Sequence, residues 1–230
     1  MRHSIRLDDT ADSFASIPSA DWPDKMSRPY DSPISDLTLP IEAAKKLIKY
    51  NIKRIVTSPF RRCIQTAALV AHTLGVTRVE VDSRLGEHVD AAMRCFVKAG
   101  IPGMTSPVRL LSVDAAQRTL DQTGGRGLTL VWDGSDIGYP THAVRESSRD
   151  LLQRVRGIMP AISAASKGVN TLVMTHGDLF NLYLPPMEWA EDIGRFKAEE
   201  CGFAVIKGPK HGPCVDSDES ILELHRVVEM

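Results

Sequence analysis

Four short stretches of the chain concentrate side chains suited to handling an anion. Arg2-His3-Ser4-Ile5-Arg6 opens the sequence. Ser58-Pro59-Phe60-Arg61-Arg62-Cys63-Ile64-Gln65-Thr66-Ala67 follows, then Leu85-Gly86-Glu87, then Thr175-His176-Gly177. Guanidinium forks supply bidentate, charge-assisted hydrogen bonds to phosphoryl oxygens. A neutral imidazole, with an unperturbed pKa of about 6.5, is a competent nucleophile near neutrality. A carboxylic acid can protonate a departing oxygen where burial or a neighbouring anion raises its pKa. The set covers attack, charge stabilisation and leaving-group protonation by itself, which points to phosphoryl transfer with a histidine as the nucleophile.

Such residues act together only if the fold brings them together. Ile41, Ala44, Leu47 and Ile48 recur at helical spacing over 41–50, and Asn51 is a natural stop. Arg54–Thr57 reads as a short buried strand. Ser58 then suits an N-cap with Pro59 at the first helical position. The helix that follows carries an apolar stripe at Phe60, Ile64, Ala67, Ala68, Ala71 and Leu74 and ends at Gly75. Val79–Val81 reads as a strand, and a helix spans roughly 145–163 with Leu151, Leu152, Val155, Ile158, Met159 and Ile162 on one face. Asn170–Thr175, Gly202–Lys207 and Ile221–Val227 complete the strands. This alternation predicts an α/β fold, a three-layer α/β/α sandwich with a mostly parallel central sheet. Residues just beyond the carboxyl ends of parallel strands share one edge, so Arg62, Glu87 and His176 face one pocket. His3 and Arg6 join them if the segment before His3 also runs as a strand.

Two stretches break the rhythm. Residues 8–39 hold Pro18, Pro23, Pro29 and Pro33 with Trp22 and Tyr30. Residues 88–141 hold Pro102, Pro107 and the Gly124–Gly127 cluster. Both are expected to be lid or binding-loop insertions in a single domain over 1–230. Trp22 and Tyr30 would either stack on an aromatic leaving group or pack the lid.

The motifs resemble those of the histidine phosphatase superfamily, the phosphoglycerate mutase-like proteins. Arg2-His3-Ser4 is similar to the family's Arg-His-Gly. Ser58 to Ala67 matches every fixed position of its Ser-Pro-x-x-Arg-x-x-Gln-Thr-Ala pattern, and His176-Gly177 matches its late His-Gly pair. The resemblance implies that His3 is phosphorylated, that Arg2, Arg6 and Arg62 clamp phosphate, and that His176 binds phosphate and stabilises the transition state. It assigns Glu87 as general acid, with Asp82, Asp90 and His88 as alternatives. Arg6, the Arg62-Cys63 pair and Leu111–Asp114 look most like the T-cell-signalling suppressor and ecdysteroid-phosphate phosphatase subgroup, which acts on phosphotyrosine or steroid phosphates. The implied activity is a metal-independent phosphatase without a cofactor. Phosphoglycerate mutase-type transfer and a catalytically weak phosphate-binding protein are the alternatives.

Two positions depart from the pattern. Ser4 replaces a glycine that lets backbone approach phosphate, and its hydroxyl could instead donate to the anion. Only Met1 precedes Arg2, where the family places a full strand. A start inside a longer reading frame is the expectation, because losing a central strand would uncover apolar surface.

Bulk properties agree with an enzyme acting on a small phosphorylated molecule or a phosphotyrosine-type substrate. The 28 basic and 29 acidic side chains give a net charge of -1, which argues against a nucleic-acid surface or a polybasic membrane anchor. No apolar run reaches the 18 or so residues of a spanning helix. Cys63, Cys95, Cys201 and Cys214 form no paired motif and read as free thiols of a cytoplasmic protein. A homodimer is compatible with all of this. Arg61 reads as a solvated cation, His72, His142, His211 and His225 take no role, and Gly124–Gly127 reads as a flexible loop.

Overall fold

The computed structural model describes residues 1–88, 108–124, 127–132, 134, 146–183, 199–206 and 222–225. Four parallel strands form the main sheet: β1 (Arg54–Thr57), β2 (Arg78–Val81), β3 (Thr129–Val131) and β4 (Thr171–Met174), in the order β3-β2-β1-β4. β5 (Phe203–Ile206) and β6 (Leu222–His225) pair antiparallel in a second sheet. A single turn α1 (Leu7–Thr10) and the helices α2 (Thr38–Leu47), α3 (Arg61–Leu74), α4 (Val113–Gly124), α5 (Ser148–Ala165) and α6 (Gly177–Tyr183) complete the described elements.

Alternation along the strands explains the layering. Ile55, Val79, Leu130, Leu172 and Met174 face a core built with Ala43, Ala44 and Leu47 of α2, Ile64, Ala67, Ala68 and Ala71 of α3, and Ala116 and Leu120 of α4. Val56, one residue on from Ile55, points the other way and packs with Ile158 and Ile162 of α5 and with Val173. Helices therefore cover both faces, as predicted.

Local signals account for most boundaries. Asn51 adopts the left-handed conformation (φ 48°) after a 3-10 turn at Ile48–Tyr50, and Gly75 does so (φ 68°) at the end of α3. Ser147 and Asp150 form a reciprocal capping box that starts α5.

Three expectations need correction. Ser58 does not cap α3, which begins at Arg61 with Phe60 as its N-cap; the Ser58 hydroxyl is bonded to a histidine ring instead. The stretch 88–141 is not merely irregular, because α4 and β3 lie within it. Gly124 is no loop glycine either: a Cβ there would sit 2.8 Å from the Ala68 Cβ, so its bareness lets α4 close on α3. Residues 8–39 do lack long elements, yet Trp22 and Tyr30 are buried, so they pack the segment and present no stacking face.

Met1–His3 take the place predicted for a first strand. Met1 N donates to the Val173 carbonyl at 2.8 Å and Thr175 N to the Met1 carbonyl at 3.0 Å. His3 N donates to the Thr175 carbonyl (3.1 Å) and Arg2 N to the Gly202 carbonyl (3.0 Å). These bonds fasten His3 between the end of β4 and the approach to β5.

Candidate active site

The carboxyl ends of β1 and β4 bring His3, Arg62, Glu87 and His176 into one buried cluster. The Arg62 Nη2 lies 3.0 Å from His176 Nδ1 and 3.2 Å from Glu87 Oε2, and Glu87 Oε2 is 3.3 Å from His176 Nδ1. The His3 and His176 rings meet edge to face at 5.3 Å. A guanidinium only donates, so Nδ1 of His176 accepts from Arg62, and its Nε2 donates to Ser58 Oγ at 2.8 Å. Phe60 packs edge-on against the same ring at 5.1 Å.

The tautomer of His3 follows from the same reasoning. Its Nδ1 is 2.7 Å from the Ser4 carbonyl, which can only accept. Nδ1 carries the proton and Nε2 keeps its lone pair. Burial, then the Arg62 charge, holds the His3 pKa well below 6.5. Burial likewise lowers His176 to about 4, against the opposing pull of Glu87. Both rings are neutral at physiological pH. For Glu87, burial alone would raise the pKa, but the Arg62 guanidinium beside it outweighs this and holds the carboxyl well below 4.5. Glu87 is therefore a carboxylate beside Arg62.

The fixed positions of the Ser58–Ala67 motif have separate structural duties. Ser58 orients His176. Gln65 Oε1 accepts from Ile34 N at 2.9 Å, which fixes the 8–39 segment against α3. Thr66 Oγ1 accepts from Ser4 N at 3.1 Å and donates to the Arg62 carbonyl at 2.8 Å. Ala67 is fully buried under the sheet. Arg62 Nη1 donates to the Tyr30 carbonyl at 3.0 Å, while its buried Nε has no acceptor among the described residues. A buried guanidinium donor without a partner is costly, and an anionic ligand is the natural acceptor.

The remaining predicted residues lie around this cluster. Arg2 pairs with Glu200 at 2.7 Å and lies over Gly177, where a Cβ would come within 3.4 Å of Arg2 Nε. That is an ordinary van der Waals distance, so space alone does not require a glycine after His176. Arg6 is bonded to the buried Asp8 through two nitrogens, one at 2.9 Å, and Asp9 is 3.7 Å away. Ser4 has no positive φ among the described residues, so glycine is not required there. Its hydroxyl donates to the Asp36 carbonyl at 3.0 Å, away from the duty toward phosphate that the sequence suggested. Arg61, expected in solvent, pairs with Asp24 at 2.6 Å.

Among the alternatives to Glu87, Asp82 is bonded to Arg84 (2.6 Å) and His88 Nε2 donates to the Glu146 carbonyl (2.8 Å); Asp90 lies outside the described residues. His142 and His211 also lie outside them, as do Cys95 and Cys214. Cys63 and Cys201 are free and buried. His3, Glu87 and His176 each bring one ligand-type atom within 4.8 Å of the others, a spacing a transition metal could use. The Arg62 guanidinium, in contact with two of the three, makes the pocket prefer an anion.

Comparisons with known proteins give one family match and several matches in fold. The family model of the histidine phosphatase superfamily (branch 1) matches residues 21–91, a segment that holds Arg62 and Glu87. The ecdysone phosphate phosphatase of Bombix mori, in complex with tungstate, is similar in structure with a TM-score of 0.57 and 13% identity, over 96% of this chain and 95% of that one. Bacillus stearothermophilus YhfR gives 0.52 at 16% identity, over 97% and 93%. Mycobacterial glucosyl-3-phosphoglycerate phosphatase gives 0.50 at 18%, over 97% and 94%. No curated protein matches the chain in sequence. The family match covers residues 21–91, under half of the chain, and the structural likenesses, at 13–18% identity, show a shared fold. Among the described residues no helix is long and apolar enough to cross a membrane.

Proposed function

We propose that the protein is a phosphatase that hydrolyses a phosphomonoester through a phosphohistidine at His3. The observation that carries this reading is the fixed tautomer of His3: a buried, neutral imidazole whose free Nε2 shares a pocket with Arg62. Nε2 attacks phosphorus, and the P–N bond forms as the P–O bond to the leaving group breaks. Arg62, through its unpartnered Nε, and His176 hold the phosphoryl oxygens as charge spreads over them. Arg2 and Arg6 extend the clamp once phosphate competes with their carboxylate partners.

Glu87 supplies the proton for the leaving oxygen. It starts as a carboxylate, so it must gain that proton when substrate binds. A phosphate that takes over Arg62 and brings its own negative charge beside Glu87 raises the carboxyl pKa, and a monoanionic ester carries the proton in. Glu87, again a carboxylate, then takes a proton from water. That water attacks phosphorus, the P–N bond breaks, and phosphate and neutral His3 are released. All steps use the chain's own side chains, so activity should persist in chelator. The substrate is a phosphorylated small molecule or a phosphotyrosine-type ester, and free buried thiols suit a cytoplasmic setting.

The test is hydrolysis of p-nitrophenyl phosphate in chelator by the protein and by His3→Ala. Turnover by the first and none by the second is expected; equal rates would sink the proposal.

A further inference from the structure

The loop that carries Glu87 is held from α5. Arg154, two turns into that helix, places Nη1 2.6 Å from the Arg84 carbonyl and 2.8 Å from the Gly86 carbonyl. Thr175 Oγ1 donates to the Leu85 carbonyl between them at 3.0 Å. Three successive carbonyls before Glu87 are thus bound by side chains from two other elements. The other side of the Arg154 guanidinium is locked too: Nε and Nη2 donate to the two oxygens of Glu146 at 2.7 and 2.8 Å, and both side chains are almost wholly buried (7% and 2% exposed).

Glu146 closes the arrangement on the far side of Glu87. Its backbone carbonyl accepts from His88 Nε2 at 2.8 Å, and His88 N donates to Glu87 Oε1 at 3.0 Å. Glu87 is left with one oxygen on the His88 amide and the other toward Arg62 and His176. An ordinary helix–loop contact would not need a buried, doubly bonded ion pair, which is costly to desolvate. A residue that must hold a catalytic oxygen within a fraction of an ångström does need such a support.

We infer that Arg154, oriented by Glu146, is a positioning residue that aims the Glu87 carboxyl at the leaving-group oxygen. The inference rests on the proposed phosphatase reading, in which Glu87 is the proton donor. Its signature is a dependence on the leaving group. A p-nitrophenolate departs with little protonation, whereas an alkoxide must be protonated as it leaves. The ratio kcat/KM reports steps up to the first irreversible one, here phosphorylation of His3, so it isolates this proton transfer from later hydrolysis.

The experiment compares kcat/KM of the protein and of Arg154→Met on p-nitrophenyl phosphate and on glycerol 2-phosphate, with the inhibition constant of inorganic phosphate. Arg154→Met should lose about 10²-fold on the alkyl ester and no more than about threefold on the aryl ester, the scale of general-acid catalysis. Phosphate should inhibit both proteins equally, because Arg62 and the histidines keep their own supports. Equal losses on both esters, or none on either, overturn the inference and leave the phosphatase reading standing. A protein that hydrolyses neither ester overturns the phosphatase reading, and the inference with it. Should Arg154→Met fail to fold, Arg154→Lys keeps the charge beside Glu146 and gives up the fork, and the same ratio decides.

Discussion

Two buried charge clusters sit side by side in this molecule, and they are built differently. In the wall formed by residues 24–31 and the start of α3, acids and arginines are closely bound, although Asp24 Oδ1 and Arg28 Nε are buried there without a hydrogen-bond partner among the described residues. Asp31 accepts from Arg61 N at 2.7 Å and from Arg28 Nη2 at 2.8 Å, and Arg61 reaches Asp24 at 2.6 Å. Tyr30 Oη and the Arg109 backbone bond each other twice, at 2.8 and 2.9 Å. In the pocket, Arg62 is shared between Glu87 and His176 at 3.0–3.2 Å, and its Nε is unused. The short bonds of the wall hold the fold. A spare donor does not by itself mark the pocket, since Arg28 Nε in the wall is also buried without a partner among the described residues; the longer bonds that Arg62 shares between Glu87 and His176 leave a place for a ligand to take over.

Substitution in the two clusters should separate these roles. Arg62→Ala carries the largest expected effect. Removing a preorganised charge from the transition state costs on the order of 10²-fold or more in kcat/KM, and orphaning the buried Glu87 costs about 3–5 kcal/mol of stability. Steady-state kinetics and thermal unfolding measure the two losses. Asp31→Ala breaks a buried pair as well and should cost about 3 kcal/mol, yet the folded fraction should keep its rate per active site, titrated with vanadate. An equal kinetic loss in both variants would erase the distinction.

Acid should act on the pocket first. His3 and His176 have folded pKa values below the ordinary 6.5, His176 at about 4, so the unfolded chain binds more protons. Their contribution to stability is complete above pH 6.5 and is lost as pH falls toward 4. Glu87, lowered below 4.5, acts with the same sign over more acid pH. The unfolding temperature should therefore fall from about pH 6.5 downward, and less steeply in His176→Asn. A pH-independent unfolding temperature over 4–6.5 would contradict the neutral-imidazole pocket. The smallest effect belongs to Tyr30→Phe in the wall, about 1–2 kcal/mol for its two lost hydrogen bonds with no change in rate.

The sequence made much of this legible, for reasons that differ by element. β1 has the bounds read from its apolar run, and the end of α3 follows from one glycine. The residues of the pocket were readable because chemistry-bearing side chains stand directly after strands. α4 escaped notice because its buried face is narrow and made of Ala116, Leu120 and Gly124. The wall and the Arg154 support escaped for another reason. Their partners are separated by up to 82 residues, as Arg28 and Leu110 are, and no local period reports such pairs. Ser58 was misread as a cap because its local signal is the same, and only the fold shows His176 above it.

The central claim is a covalent one, that phosphorus becomes bonded to nitrogen on His3. The direct measurement is rapid quench of the protein with a phosphomonoester at alkaline pH, followed by peptide mass spectrometry of the N-terminal segment. A phosphoryl group is expected on His3, lost on brief acid treatment and absent from His3→Ala. Turnover with His3 unmodified, or a phosphoryl group on another residue, would contradict it.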